Sequence, residues 1–146
     1  MIFTDTHTHL YSKEFDPDRK TLIQKAIDAG ITRLFMPNIS SESIDVMFEV
    51  EKQFPNNCFP MMGLHPCSVG ENVEAELKTV EEWLGKRSFT AIGEIGIDLY
   101  WDKTFFKQQQ DAFRKQITWA KQYALPYVIH SRNAFDETME IVSEFK

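Results

Sequence analysis

Short apolar, β-rich runs alternate along this chain with longer stretches whose apolar positions recur every three or four residues. The first run, IFTDTHTHL (residues 2–10), is followed by PDRKTLIQKAIDAG (17–30), where Leu22, Ile23, Ala26 and Ile27 fall on one helical face. Pro17 suits the first turn of that helix and Gly30 the position just past its end. A second strand, TRLFMPNI, precedes a helix with Ile44, Met47, Phe48 and Glu51 at helical spacing and Ser40 or Ser41 as its N-cap. The third strand, CFPMMGLHP, leads to NVEAELKTVEEWLG, with Val73, Leu77, Val80 and Leu84 on one face and Gly85 as terminator. The fourth, FTAIGEIGI, leads to a long helix over roughly Thr104 to Ala124, repeating at Phe106, Phe113, Ile117 and Ala120. The fifth, LPYVIHS, is followed by a last helical stretch, AFDETMEIVSEF.

The pattern predicts an α/β fold of five βα units. Strands joined through helices run parallel. Two architectures fit: an open doubly wound sheet, or part of a (βα)₈ barrel. The chain has 146 residues, well short of the roughly 250 of a complete barrel. The expectation is therefore one domain, residues 1–146, whose sheet does not close. Its unpaired edges invite self-association.

Composition narrows the functional classes. The formal net charge is −6, from 22 acidic and 16 basic residues, which argues against sequence-independent clamping of nucleic acid by clustered cations. Cys58 and Cys67 form no C-x-x-C pair and cannot supply a disulfide framework. No signal-peptide pattern and no apolar stretch approaching the ~18 residues of a membrane span is present. The reading is a cytoplasmic protein with no membrane association.

The ionisable residues fall at one end of the predicted strands. His7, His9, His65 and His130 each sit at a strand's carboxyl end, the edge where parallel α/β folds place their sites. His7 and His9, at i and i+2, point to the same side of an extended chain about 6.7 Å apart, a spacing from which two imidazoles reach one divalent ion; the pair is also compatible with a solvated strand end. Asp5 shares their face, either as a carboxylate orienting an imidazole or as a solvated Asp. Glu94 interrupts an otherwise apolar strand, and a buried Glu requires a partner. That partner is a structural Arg or Lys, or else metal ions bridged by its two oxygens, with Gly93 and Gly96 allowing close approach. His130 fits a third imidazole ligand. Arg132 suits a phosphate or carboxylate grip, or is a surface Arg. His65 is read as a substrate contact, with packing beside Pro66 as the alternative. Asp98 and Asp102 lie just beyond; either can be functional, but the preferred reading places both in the loop or at the next helix's N-terminus.

No G-x-S-x-G elbow, P-loop or G-x-G-x-x-G run occurs in the sequence. A His, His, Glu, His set suits Zn²⁺, Mn²⁺ or Mg²⁺ and hydrolytic chemistry.

The segments DTHTHL, MGLHP, GEIGIDLYWD and VIHSR, in this order and spacing, closely resemble the TatD-type metal-dependent deoxyribonucleases. AIDAGITRLFMPNIS also resembles that family's first helix and second strand, and the likeness runs from Met1 to Lys146. The resemblance implies a (βα)₈ barrel of the amidohydrolase group that hydrolyses DNA phosphodiesters at a centre of two divalent ions, commonly as a 3′-to-5′ exonuclease. It implies that His7 and His9 bind one ion, that Glu94 bridges both as the catalytic carboxylate, that His130 binds the second, and that His65 contacts substrate. The family pattern continues with a histidine after the sixth strand and an aspartate after the eighth, both beyond Lys146. The residues 1–146 are thus expected to form the N-terminal part of the barrel and to be impaired as a nuclease. The alternatives are a related amidohydrolase acting on a small ester, lactone or amide, or an inactive fragment that binds metal.

Overall fold

The computed structural model describes residues 1–145, along which five strands alternate with five helices. Strands β1 (Phe3–Asp5), β2 (Ile31–Pro37) and β3 (Cys58–Met61) form one parallel sheet in that order, and β4 (Ile92–Asp98) pairs in parallel with β5 (Tyr127–Arg132). The two sheets meet at a parallel bridge between Met62 and Ile92. There the Met62 N–H donates to the Ala91 carbonyl at 3.2 Å and the Gly93 N–H donates to the Met62 carbonyl at 3.0 Å. The result is an open arc of TIM-barrel-like βα units. Among the described residues β1 and β5 each have a single strand neighbour.

Helices α1 (Arg19–Asp28), α2 (Ser41–Gln53), α3 (Val73–Lys86), α4 (Phe106–Gln122) and α5 (Phe135–Ser143) occupy the connections and the chain's end. The stripe read for α3, Val73, Leu77, Val80 and Leu84, is its buried face; on α2 Ile44 and Met47 are buried as expected, but the third buried residue is Val50, while Phe48 and Glu51 are only partly buried. Helix α2 opens at Ser40, whose N–H donates to Ser43 Oγ at 3.2 Å. Two expected boundaries move. Pro17 precedes the Asp18 cap of α1 instead of starting the helix. Gly85 lies inside α3, which runs on to Lys86; the buried stripe outweighs the ~1 kcal/mol that glycine costs a helix.

Every residue of β4 is buried, so this strand lies at the centre of the fold with Glu94 within it. Gly96 lies opposite His130 in the ladder, with φ +145°, and an added Cβ would stand 2.0 Å from the His130 carbonyl oxygen. That contact is what brings β5 and its histidine close to β4.

Helix α4 holds two strand ends through side chains. The Gln116 amide receives the Leu64 N–H at 2.7 Å and donates to the Leu64 carbonyl at 3.2 Å. Two helical turns earlier Gln109 treats Asp98 in the same way, at 2.9 and 3.2 Å. Both glutamines are buried. They substitute for the strand partner that the backbone lacks at these positions, and so fix the segments that carry His65 and Asp98.

Candidate metal centre

The expected strand through Leu10 ends at Asp5, but the chain keeps running along β2, where the Thr8 N–H donates to the Phe35 carbonyl at 2.9 Å. His7 and His9 therefore retain a common direction, and their Nε2 atoms lie 3.3 Å apart. Asp5 does not orient an imidazole; its Oδ1 accepts the backbone N–H of His7 at 3.1 Å.

Glu94 stands between two groups of imidazoles. Its Oε2 lies 3.1 Å from His7 Nε2 and 3.4 Å from His9 Nε2, while Oε1 lies 3.1 Å from His130 Nδ1 and 3.9 Å from His65 Nε2. Among the described residues its ion-pair partners are all histidines, so the structural Arg or Lys partner is absent. The main chain of Glu94 is fixed equally firmly. Its N–H donates to the Asn38 carbonyl at 3.1 Å, and the Asn38 N–H donates to the Gly93 carbonyl at 3.0 Å.

Neighbours assign the ring protons. The Tyr11 hydroxyl donates to the Pro37 carbonyl, which only accepts, so its oxygen takes the Nδ1–H of His9 at 2.8 Å. His9 Nε2 is left bare and faces Glu94. Asp98 Oδ2 lies 2.8 Å from His130 Nε2, which places the neutral ring's proton on Nε2; Nδ1, 3.1 Å from Glu94 Oε1, carries a proton only in the charged ring. His65 is the opposite case. The Cys67 N–H donates to its Nδ1 at 3.0 Å, which puts the proton on Nε2, 3.1 Å from His130 Nδ1. His65, Cys67 and His130 also offer three ligand atoms within 4.8 Å of one another, but this tautomer makes His65 a hydrogen-bond donor at the site.

The electrostatics follow the geometry. Burial pushes the Glu94 carboxyl up, but the imidazoles around it, His130 and His9 first and His65 and His7 next, outweigh burial when the nitrogens facing Glu94 carry protons, and hold the group well below the usual carboxylate range. The hydrogen bond to Glu94 raises His130 despite burial, with Asp98 adding to it. Burial, then the neighbouring His130, lowers His65 to about 4, so it is neutral at pH 7.

Tyr11 is a site residue that the pattern of the chain did not single out, and Asp98 is one whose functional alternative ranks below a loop position in the sequence. Asp98, assigned to the loop, is 1 % exposed and belongs to the end of β4. Its position beside GEIGI at a strand's carboxyl end was the available signal. Arg132 reaches the end of β5, where its guanidinium lies 3.8 Å from the Tyr100 ring centroid; among the described residues it forms no salt bridge.

A buried carboxylate with imidazole nitrogens against both of its oxygens fits divalent cations. His7, His9 and Glu94 present ligand atoms within 4.8 Å of one another, and His130 Nδ1 lies against the second Glu94 oxygen. Imidazole and carboxylate together suit Zn²⁺ or Mn²⁺, and the carboxylate suits Mg²⁺.

Parallel βα units carrying such a cluster at their strands' carboxyl ends are the arrangement of a TIM-barrel-like metal site. The chain belongs to the TatD family: the model described as "TatD related DNase" matches residues 4–146. It is 31% identical over 144 residues to the uncharacterized metal-dependent hydrolase YabD of Bacillus subtilis, covering 99% of this chain and 56% of that protein. It is 27% identical over 139 residues to the 3′-5′ ssDNA/RNA exonuclease TatD of Dickeya dadantii, covering 95% of this chain and 53% of that protein. The crystal structure of the TatD homologue YjjV from Escherichia coli K12 superposes with a TM-score of 0.88 at 28% identity, covering 97% of this chain and 55% of that one. The chain thus spans about half the length of the curated relatives it matches.

Proposed function

We propose that residues 1–146 form one domain, the N-terminal part of a (βα)₈ barrel, and carry most of the metal centre of a nuclease that cleaves DNA phosphodiester bonds in the 3′-to-5′ direction. The observation that carries this reading is the position of Glu94, one oxygen toward His7 and His9 and the other toward His130. In this reading two divalent ions, Mg²⁺, Zn²⁺ or Mn²⁺, are held by His7 and His9 on one side and His130 on the other, with Glu94 shared between them. Ions bound there supply Lewis acidity toward phosphoryl oxygens and acidify water. The protein's own groups bind and orient the substrate. The His65 Nε2–H donates to a phosphate oxygen, and Arg132 adds a cation that has no carboxylate partner among the described residues. Asp98 and Tyr11 keep the tautomers of His130 and His9 that leave ligand nitrogens bare. The 3′-5′ exonuclease name borne by the Dickeya dadantii relative supports DNA as substrate. Cys58 and Cys67, both free thiols, suit a cytoplasmic location.

The test is calorimetric titration of the chain with Mn²⁺ or Zn²⁺, alongside cleavage of single-stranded DNA. Wild-type protein binds two ions per chain, and Glu94→Ala loses both the stoichiometry and any metal-dependent cleavage. Undiminished ion binding by Glu94→Ala, or undiminished cleavage by that substitution in a form whose wild type cleaves, refutes the assignment. The net charge of −6 favours a second reading, hydrolysis of a small ester, lactone or amide at the same centre; a panel of such esters assayed beside the oligonucleotide separates the two.

A further inference from the structure

Two large aromatic side chains stand in solvent beside the metal centre. Tyr100 is 51% exposed and Trp101 is 70% exposed. Their rings meet edge to face, with centroids 4.8 Å apart and planes 89° apart. The Arg132 guanidinium lies over Tyr100 at 3.8 Å and 5.3 Å from the Trp101 ring. Trp101 also forms one wall of a cavity of about 250 Å³ whose other lining includes Pro66, Cys67, Asp98 and Phe105. Scattered surface aromatics need no explanation, but an adjoining pair at the mouth of a polar site does.

The pair is tied to the centre by one carboxylate. Asp98 Oδ1 accepts the backbone N–H groups of Tyr100 at 2.9 Å and Trp101 at 3.3 Å, while Oδ2 meets His130 Nε2 at 2.8 Å. The Leu99 N–H also donates to the Arg132 carbonyl at 2.9 Å. Aromatic rings and histidine are therefore held at a fixed separation, as recognition of one repeating unit of a polymer requires.

We infer that Trp101, backed by Tyr100 and Arg132, is a stacking platform for an unpaired nucleobase of a single-stranded nucleic acid. The inference rests on the nuclease reading above and deepens it. The exposed indole takes the face of the base, and Arg132, which forms no salt bridge among the described residues, takes the adjoining phosphate. Stacking of this kind tolerates any base but requires that the base be free of a duplex. The platform therefore favours single strands without sequence preference.

The test uses the full chain in EDTA, so that binding is read without cleavage. The probes are a fluorescein-labelled oligothymidylate and an abasic strand of the same length, followed by anisotropy and by quenching of tryptophan emission. Wild type binds the oligothymidylate about tenfold more tightly than the abasic strand, the weight of one base–aromatic stack. Trp101→Ala erases that difference at an unchanged circular dichroism spectrum, whereas Trp101→Phe keeps most of it. Arg132→Ala weakens both probes alike and flattens the salt dependence. If Trp101→Ala keeps the wild-type preference, the platform is overturned while the nuclease reading stands. If wild type binds neither probe in EDTA and takes up no Mn²⁺ in calorimetry, both fall together.

Discussion

Gln116 clamps Leu64 through both ends of its amide, as acceptor at 2.7 Å and donor at 3.2 Å, and the clamp is fully enclosed. Replacing it by Leu conserves approximate volume but leaves a buried N–H and a buried carbonyl unpaired. Such groups cost about 1–3 kcal/mol each. Gln116→Leu should therefore lower the urea midpoint by the equivalent of about 3 kcal/mol at an unchanged slope, measured by circular dichroism. A midpoint within error of wild type would show that the clamp is dispensable.

The hydroxyl of Tyr11 sets the tautomer of His9. Tyr11→Phe preserves the ring and removes the oxygen, so His9 is free to place its proton on the ligand nitrogen. Partners behind a ligand are worth about 10–100-fold in metal affinity. The expected result is a Mn²⁺ affinity weakened by about that factor with the thermal midpoint nearly unmoved, read by calorimetry on both proteins.

Gly96→Ala should be severe. The new Cβ meets the His130 carbonyl oxygen at 2.0 Å, and the backbone at φ +145° is one that alanine resists. Overpacking and backbone strain each cost on the order of 1–3 kcal/mol. The variant is expected to lose more than about 3 kcal/mol of stability, or to fail to accumulate as folded protein; an unaltered urea curve would contradict the close approach of β4 and β5.

Alkaline pH offers a test away from the metal centre. Burial first, and Glu51 second, push the Cys58 thiol from its ordinary 9.0 to about 12. Because the folded value is the higher one, its contribution is complete below the unfolded pKa and is lost as pH rises toward the folded one. Unfolding free energy should fall between about pH 9 and 12, and Cys58→Ala should fall less steeply over the same interval. Parallel slopes for the two proteins would refute the shift.

The two free strand edges predict association. Phe3 on β1 is 50% exposed and Ile129 on β5 is 39% exposed, each on a strand with one neighbour. Edges of this kind pair with other chains. Light scattering should give a mass that rises with concentration, and a constant monomer mass would exclude it.

Much of this architecture was legible because burial imposes periodicity. The apolar stripe of α3 marks its face residue by residue, and Glu94 stood out because a carboxylate inside AIGEIGI has no cheap explanation. The histidines were found by their place at strand ends. What escaped were groups whose importance lies in a partner distant in sequence. Gln109 and Gln116 look like ordinary polar residues of a helix until Asp98 and Leu64 are seen beside them. Tyr11 reads as one more residue of a turn until the Pro37 carbonyl fixes its hydroxyl. Asp98 looked like a loop acid because the burial of the last residue of β4 depends on α4 packing over it. Boundaries such as Gly85 shifted for the same reason: tertiary contacts overrode a local stop signal.

The four convergent side chains do not belong to one sheet. His7 and His9 follow β1 in the three-stranded sheet, whereas Glu94 and His130 lie in the two-stranded one, and the two halves touch through few main-chain bonds. A cation lodged among them would rivet the halves together, binding the native state and not the unfolded chain. Chelation should then loosen the body of the protein as well as silence its chemistry, so that heat resistance and metal supply become a single property.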